Sequence, residues 1–223
     1  IIYGTAGGLS STSPRPNQFW SQSSPNIEGE PEPDDSFGSS LSAGDFNGDG
    51  IDDLAIGVSG EDIGSIQDAG GVNVIYGTSG GLSSTSPRPN QFWSQNNPPD
   101  IVGTPGAFDR FGSSLSAGDF NGDGRDDLAI GVPNENIGSI VDGGAVNVIY
   151  STSNGLSSMS PRPNQFWSQD SPDIEGGAET GDFFGESLSA GDFNGDGRDD
   201  LAIGLMREDI GSIQDAGGVN VIY

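Results

Sequence analysis

The chain of 223 residues has no cysteine, no histidine and no lysine, and its basic side chains are seven arginines. Without thiols there is no disulfide, no thiolate zinc site and no cysteine nucleophile. Without imidazole a Ser-His-Asp triad and histidine-ligated metal centres are excluded as well. Long apolar runs are missing too: none approaches the roughly 20 residues of a membrane span, and no signal peptide is legible. No stretch is built from Ala, Leu, Glu, Lys and Arg, so none reads as a long amphipathic helix.

Glycine is abundant, at 38 residues with 14 prolines, and hydrophobic residues make up only 31%. That balance suits an all-β chain with many tight turns. Thirty-three acids give a formal net charge of -26. A surface of that sign repels nucleic acid and anionic membrane, so neither nucleic-acid binding nor membrane insertion is expected. The acids stand at fixed places beside hydrophobic runs, which points to ligands for a cation rather than to a disordered acidic tail.

Internal repetition organises the sequence. The dipeptide Ile-Tyr recurs at Ile2-Tyr3, Ile75-Tyr76, Ile149-Tyr150 and Ile222-Tyr223, spaced 73 or 74 residues apart. A single domain over 1–223 therefore divides into repeats of approximately 2–74, 75–148 and 149–221. Each repeat carries PRPNQFWSQ, a variable acidic loop (23–36, 96–110 and 169–183), then FGxSLSAGDFNGDGxDDLAIG, then a loop ending in GSIxDxGxVNVIY. Four strand-like runs fall in each period. The first is 39–46, with copies at 113–120 and 186–193. The second is 53–58, where alternating Ala and Gly would let neighbouring sheets approach closely. The third, 71–76, puts Val72, Val74 and Tyr76 on one face and Asn73 and Ile75 on the other. The fourth, 90–95, carries Phe92 and Trp93. Four short antiparallel strands per repeat describe a β-propeller blade.

The sharpest motif is D-F-N-G-D-G-x-D-D. Calcium takes six to eight hard oxygen ligands gathered by a sharply turning loop. Counting Asp45 as position 1, side-chain oxygens fall at Asp45, Asn47, Asp49 and Asp53, and Ile51 at position 7 offers its carbonyl. The second copy is Asp119, Asn121, Asp123, Arg125 (carbonyl) and Asp127; the third is Asp192, Asn194, Asp196, Arg198 (carbonyl) and Asp200. Gly50 permits the bend, and Phe46 is expected to point into its own blade's core. Asp52, Asp126 and Asp199, at position 8, read as facing outward or standing behind the ligands. No Glu stands at position 12 and strands flank the loop, so this is not an EF-hand. An Asp/Asn/Gly turn with solvated carboxylates would explain one copy, but three alike copies favour about three calcium ions per chain over magnesium.

Phe37-Gly38, the DFNGDGxDDLAIG segment and the Gly-rich GGVNVIYG stretch together resemble FG-GAP repeats. The resemblance covers nearly the whole chain. It implies the propeller found at the N-terminus of integrin α chains and in many bacterial surface proteins, with calcium in the hairpin loop between a blade's first two strands. It therefore also implies an extracellular or cell-surface setting. That family usually has seven blades; here there are three, and they are unusually alike.

Weaker signals repeat as well. Glu61, Glu135 and Glu208, with Asp68, Asp142 and Asp215, read as a second cation site, a ligand rim, or simply turn-capping acids. Trp20, Trp93 and Trp167 read either as sugar-stacking surfaces or as packing between blades. Arg15, Arg88 and Arg162 read as partners for acids of an adjacent blade or as braces for an extended edge. Paired carboxylates could hydrolyse a glycoside, but their calcium-loop spacing and threefold repetition argue against a catalytic site. The expected function is a calcium-stabilised, non-catalytic scaffold for extracellular recognition or adhesion through a protein or glycan ligand. A lectin-like propeller and a purely structural repeat assembly, natural or designed, are the alternatives. Because three blades are too few to surround a channel, two chains are expected to join head to tail as a six-bladed homodimer.

Overall fold

Large and minimal side chains alternate along the second strand of every repeat, and that alternation sets how the sheets stack. The structure is a computed structural model that describes residues 1–12, 15–86, 88–96, 101–159 and 162–223. The Pro at the head of each PRPN run and residues 97–100 of the second variable loop therefore lie outside the described residues. The chain opens with a hairpin of β1 (Tyr3–Thr5) and β2 (Gly8–Ser10). A first sheet follows in the order β3 (Phe37–Gly44), β4 (Asp53–Val58), β5 (Gly71–Ile75), β6 (Gln91–Trp93), antiparallel throughout. The second sheet runs β7 (Ser114–Gly118), β8 (Asp127–Val132), β9 (Ala145–Thr152) and β11 (Gln165–Trp167), with the short β10 (Gly155–Ser157) folded onto the far end of β9. The third is three-stranded: β12 (Ser187–Gly191), β13 (Asp200–Leu205), β14 (Gly218–Ile222).

The register is the same in each repeat: Ala55 faces Val74, Ala129 faces Val148 and Ala202 faces Val221. The second strands begin and end where the sequence pattern puts them. The first strands stop at Gly44, Gly118 and Gly191, two residues before the expected end, because the following aspartate already caps the loop. Residues 17–22, equivalent to the fourth strand, form no strand; Gln18 N–H donates to the Ile1 carbonyl at 3.1 Å.

Successive sheets pack face to face, and each core lies between them. Val72, Val74 and Tyr76, on the third strand of the first sheet and at its end, meet Leu128, Ile130 and Val132 of the second sheet. Val146, Val148 and Tyr150 likewise meet Leu201, Ile203 and Leu205. On the opposite face of the first sheet, Ile56 and Ile75 pack with Ile27 and Trp20 of the N-terminal segment. Each second strand thus turns Leu and Ile toward the preceding repeat and Ala and Gly toward the following one. Fully burying a Leu or Ile contributes about 1.5–3 kcal/mol, so these layers hold the stack together. The glycine face fixes the spacing: a Cβ on Gly57 would lie 2.2 Å from the Gly112 carbonyl oxygen, and one on Gly131 2.2 Å from that of Gly185. A parallel bridge joins Gly70 to Phe111, and another joins Gly144 to Phe184. The result is an all-β, propeller-like arc of antiparallel sheets.

Candidate metal centre

Each acidic loop is the hairpin joining the first and second strands of a sheet. Asp45 closes it from the start: its Oδ1 accepts the N–H groups of Gly48 (2.8 Å) and Asp49 (3.0 Å), and its Oδ2 that of Gly50 (2.8 Å). Asp119 and Asp192 do the same for their loops. Gly50, Gly124 and Gly197 have φ of 82°, 84° and 87°, a left-handed turn that a side chain would strain. Asp49 Oδ1 then accepts the Ile51 N–H at 3.0 Å, as Asp123 and Asp196 accept those of Arg125 and Arg198.

The carboxylate at position 9 sits at the base of the loop, on the first residue of the second strand, and is buried in every copy. Asp53 accepts the N–H groups of Gly77 (2.8 Å) and Phe46 (3.0 Å), with the Asn47 amide 3.1 and 3.2 Å from its two oxygens. Asp127 accepts from Ser151 N–H (2.9 Å) and Asn121 Nδ2 (2.8 Å). Asp200 accepts from Phe193 N–H (2.9 Å) and Asn194 Nδ2 (3.0 Å). Burial raises the pKa of Asp53 and of Asp127 to about 7, against the lowering effect of these donors. At Asp192, by contrast, the loop amides, Gly197 foremost, lower the pKa.

Among the described residues none of these buried acids forms an ion pair. The ion pairs among the described residues are Arg125–Asp123 at 2.7 Å and Arg198–Asp196 at 3.7 Å, both within the loops at positions 7 and 5. The donor set at positions 1, 3, 5, 7 and 9 is all oxygen, which fits calcium chemistry, and the buried carboxylate is the charge a cation would neutralise. Here those carboxylates serve loop amides, and no three acidic side chains among the described residues close round a common point.

Of the two places expected for position 8, Asp126 and Asp199 take the one behind the ligands: Asp126 Oδ2 accepts the Asp45 N–H of the preceding repeat at 2.8 Å, and Asp199 Oδ2 that of Asp119 at 2.9 Å. Position 8 therefore clamps one loop to the next. Phe46 is fully buried in the core that Val72, Val74 and Tyr76 of its own sheet share with Leu128 and Ile130 of the second.

The other repeated residues resolve differently. Glu61 takes the Gln22 amide at 2.6 Å, Glu135 that of Gln95 at 2.6 Å and Glu208 that of Gln169 at 2.6 Å, tying each fourth-strand segment to the sheet that follows it. Burial first, and then the charges of Asp35, Glu32 and Asp62, raise the pKa of Glu61 to about 7. The glutamine partners were missed because their spacing of about 40 residues carries no local pattern. Trp93 lies in the layer between sheets, and Trp20 and Trp167 pack against the neighbouring layers, so the indoles are packing groups rather than an open stacking surface. Arg15, Arg88 and Arg162 each stand 5.8 Å over the ring of Tyr3, Tyr76 and Tyr150, and Arg88 also donates to the Ser153 carbonyl at 2.5 Å. Arg88 thus reaches the hairpin of the next sheet, and among the described residues none of the three forms an ion pair with an acid.

A stack of antiparallel sheets with one acidic hairpin loop per sheet defines a repeat protein of the propeller class. The FG-GAP repeat profile matches residues 37–75, 111–149 and 184–222, just over half of the chain, and the chain belongs to that family. It is 35% identical over 173 residues to integrin alpha-PS5 of Drosophila melanogaster, covering 75% of this chain and 15% of that protein. Integrin alpha-5 of Xenopus laevis is 33% identical over 183 residues, covering 78% of this chain and 15% of that protein. Phosphatidylinositol-glycan-specific phospholipase D of Mus musculus is 32% identical over 163 residues, covering 73% of this chain and 17% of that protein. The chain thus spans less than a fifth of the length of these relatives. Among solved structures, a rhamnogalacturonan lyase of Bacillus licheniformis aligns with 72% of this chain and 28% of its own, at 17% identity and a TM-score of 0.38.

Proposed function

We propose that the chain is a calcium-binding FG-GAP propeller segment that acts outside the cell as a rigid, non-catalytic recognition scaffold. The observation that carries this reading is the buried aspartate at the base of each loop, Asp53, Asp127 and Asp200, none of which forms an ion pair among the described residues. A buried carboxylate is retained where it is paired or holds a metal. Each ion would be held by positions 1, 3, 5 and 9 and the position 7 carbonyl: Asp45, Asn47, Asp49, Ile51 and Asp53 in the first loop, with their counterparts in the second and third. Calcium supplies positive charge there, and the residues themselves fix the hairpin and, through Asp126 and Asp199, its distance from the next.

Strand direction separates this role from recognition. The calcium loops lie at one rim of the arc, where first strands end; the variable loops enter at the other, where first strands begin. Phe108 N–H and Gly181 N–H dock there on the Gln67 and Val141 carbonyls. The variable acidic loops are the recognition surface in this reading, and calcium acts on it through stability alone. The integrin relatives support an adhesive, extracellular setting, where dissociation constants of about 10⁻⁴–10⁻³ M still give occupied sites. Calorimetric titration with calcium tests the proposal: three sites per chain are expected, and no heat, or a stoichiometry near one, would overturn it.

A further inference from the structure

At the rim opposite the hairpin loops, the fourth strand of one sheet, a variable loop and the second strand of the next sheet bring three polar side chains together. In the middle copy these are Gln95, just after β6, Asp109, near the end of the variable loop, and Glu135, just after β8. They are 5%, 3% and 8% exposed. Glu135 Oε2 accepts the Gln95 amide at 2.6 Å, Asp109 Oδ2 accepts the Gly106 N–H, and the Asp109 charge bears on Glu135. The second oxygen of each carboxylate takes no hydrogen bond among the described residues. Gln95 Oε1, on the same planar amide that Glu135 holds, is buried without a partner.

The arrangement recurs in the other two copies. Gln22 donates to Glu61 and Gln169 to Glu208, each at 2.6 Å. Asp35 Oδ2 and Asp182 Oδ2 accept the N–H groups of Glu32 and Glu179 at 2.5 Å. Asp35 Oδ1 and Gln169 Oε1 are again buried without a partner.

Every atom left over at these three places is an acceptor. A water molecule there would donate two hydrogens at most and would leave both buried carboxylates uncompensated. A cation serves the oxygens and the charge together. We propose that Gln95, Asp109 and Glu135 hold a divalent cation of the magnesium class, through Gln95 Oε1 and the remaining oxygen of each carboxylate, and that the other two copies repeat the site. Three protein oxygens fall short of the six to eight that calcium gathers, whereas magnesium is held by one or two carboxylates and keeps several waters. Water has a path in, because Phe108 and Arg110 on either side of Asp109 are exposed. The hairpin calcium reaches the variable loops only through stability from the far rim. The cation here ties the root of a variable loop to both sheets that it connects. The inference does not depend on the calcium reading.

Magnesium is titrated calorimetrically into the full chain at pH 8, once with calcium at saturation and once in a chelator that removes calcium but not magnesium. Heat is expected in both. Glu135→Gln and Asp109→Asn should each lose one equivalent of magnesium in both conditions while keeping the wild-type circular dichroism. In the wild type saturated with calcium, manganese used in place of magnesium should broaden the Gly106 amide resonance, a readout that needs no variant. Magnesium heat in chelator alone would mean binding at empty hairpin loops and would overturn the inference. No heat in either condition, folded variants that keep every equivalent, or a Gly106 resonance untouched by manganese would overturn it as well. A chain that takes up magnesium but no calcium would sink the calcium reading and leave this one standing.

Discussion

Replacing Asp127 by Asn exchanges one oxygen for a nitrogen at a site with no solvent exposure, and the size of its effect depends on calcium. Burial raises this carboxyl from 3.8 to about 7, so in chelator at pH 8 the folded chain must ionise a group that resists it. A shift of that size corresponds to at most about 4 kcal/mol, using 1.36 kcal/mol per pKa unit. The amide keeps one acceptor for the Ser151 N–H but loses part of the contact with Asn121, a cost of about 1 kcal/mol. Asp127→Asn should therefore stabilise the calcium-free chain by about 1–3 kcal/mol, or roughly 2–10 °C in melting temperature at this chain length. Calcium works against that gain at the one loop affected. At ten times the dissociation constant each occupied loop contributes about 1.4 kcal/mol, about 4 kcal/mol for three independent sites. The variant should retain only two thirds of that calcium-dependent gain. Thermal melts at pH 8 with chelator and with excess calcium measure both quantities. A variant less stable than the wild type in chelator, or one with an undiminished calcium gain, would refute the reasoning.

Three further outcomes follow from the geometry. Glu61 and Glu135 are raised from 4.5 to about 7, chiefly by burial, so the folded state keeps protons that the unfolded state releases. Their stabilisation is complete below about pH 4.5 and is lost as the pH rises through about 7; urea titrations in chelator should show this decline, and Glu135→Gln should flatten it. Arg125→Ile frees Asp123 from a partly exposed 2.7 Å ion pair worth up to about 1 kcal/mol, so calcium affinity at the second loop should rise by up to about fivefold in calorimetry. Gly131→Ala places a methyl 2.2 Å from the Gly185 carbonyl oxygen and should cost about 1–3 kcal/mol in a thermal melt.

Much of this was legible because each repeat restates the same local physics three times. The second strands carry their faces in the Ala-Gly alternation, and Val72, Val74 and Tyr76 share the face that two-residue periodicity assigns them. The loop was readable because an oxygen at every odd position and a glycine at the bend are local requirements. What stayed hidden depends on how one repeat sits against the next. Position 8 left two places open for Asp126, because the N–H that it accepts belongs to Asp45, 81 residues away. Phe46 belongs to a layer that exists only once two sheets are stacked, and the same holds for the Gln95–Glu135 contact. The short hairpin of β1 and β2 rests on Thr5 Oγ1 donating to the Gly8 carbonyl at 2.7 Å, in a stretch with too little hydrophobic alternation to announce a strand.

The central claim is that the three hairpin loops are calcium sites, and anomalous diffraction from crystals grown with calcium tests it most directly. Three peaks per chain are expected, each ringed at about 2.3–2.6 Å by oxygens of positions 1, 3, 5, 7 and 9: Asp45 to Asp53, Asp119 to Asp127 and Asp192 to Asp200. Loops without a peak at saturating calcium, with Asp53, Asp127 and Asp200 still bonded only to amides, would contradict it.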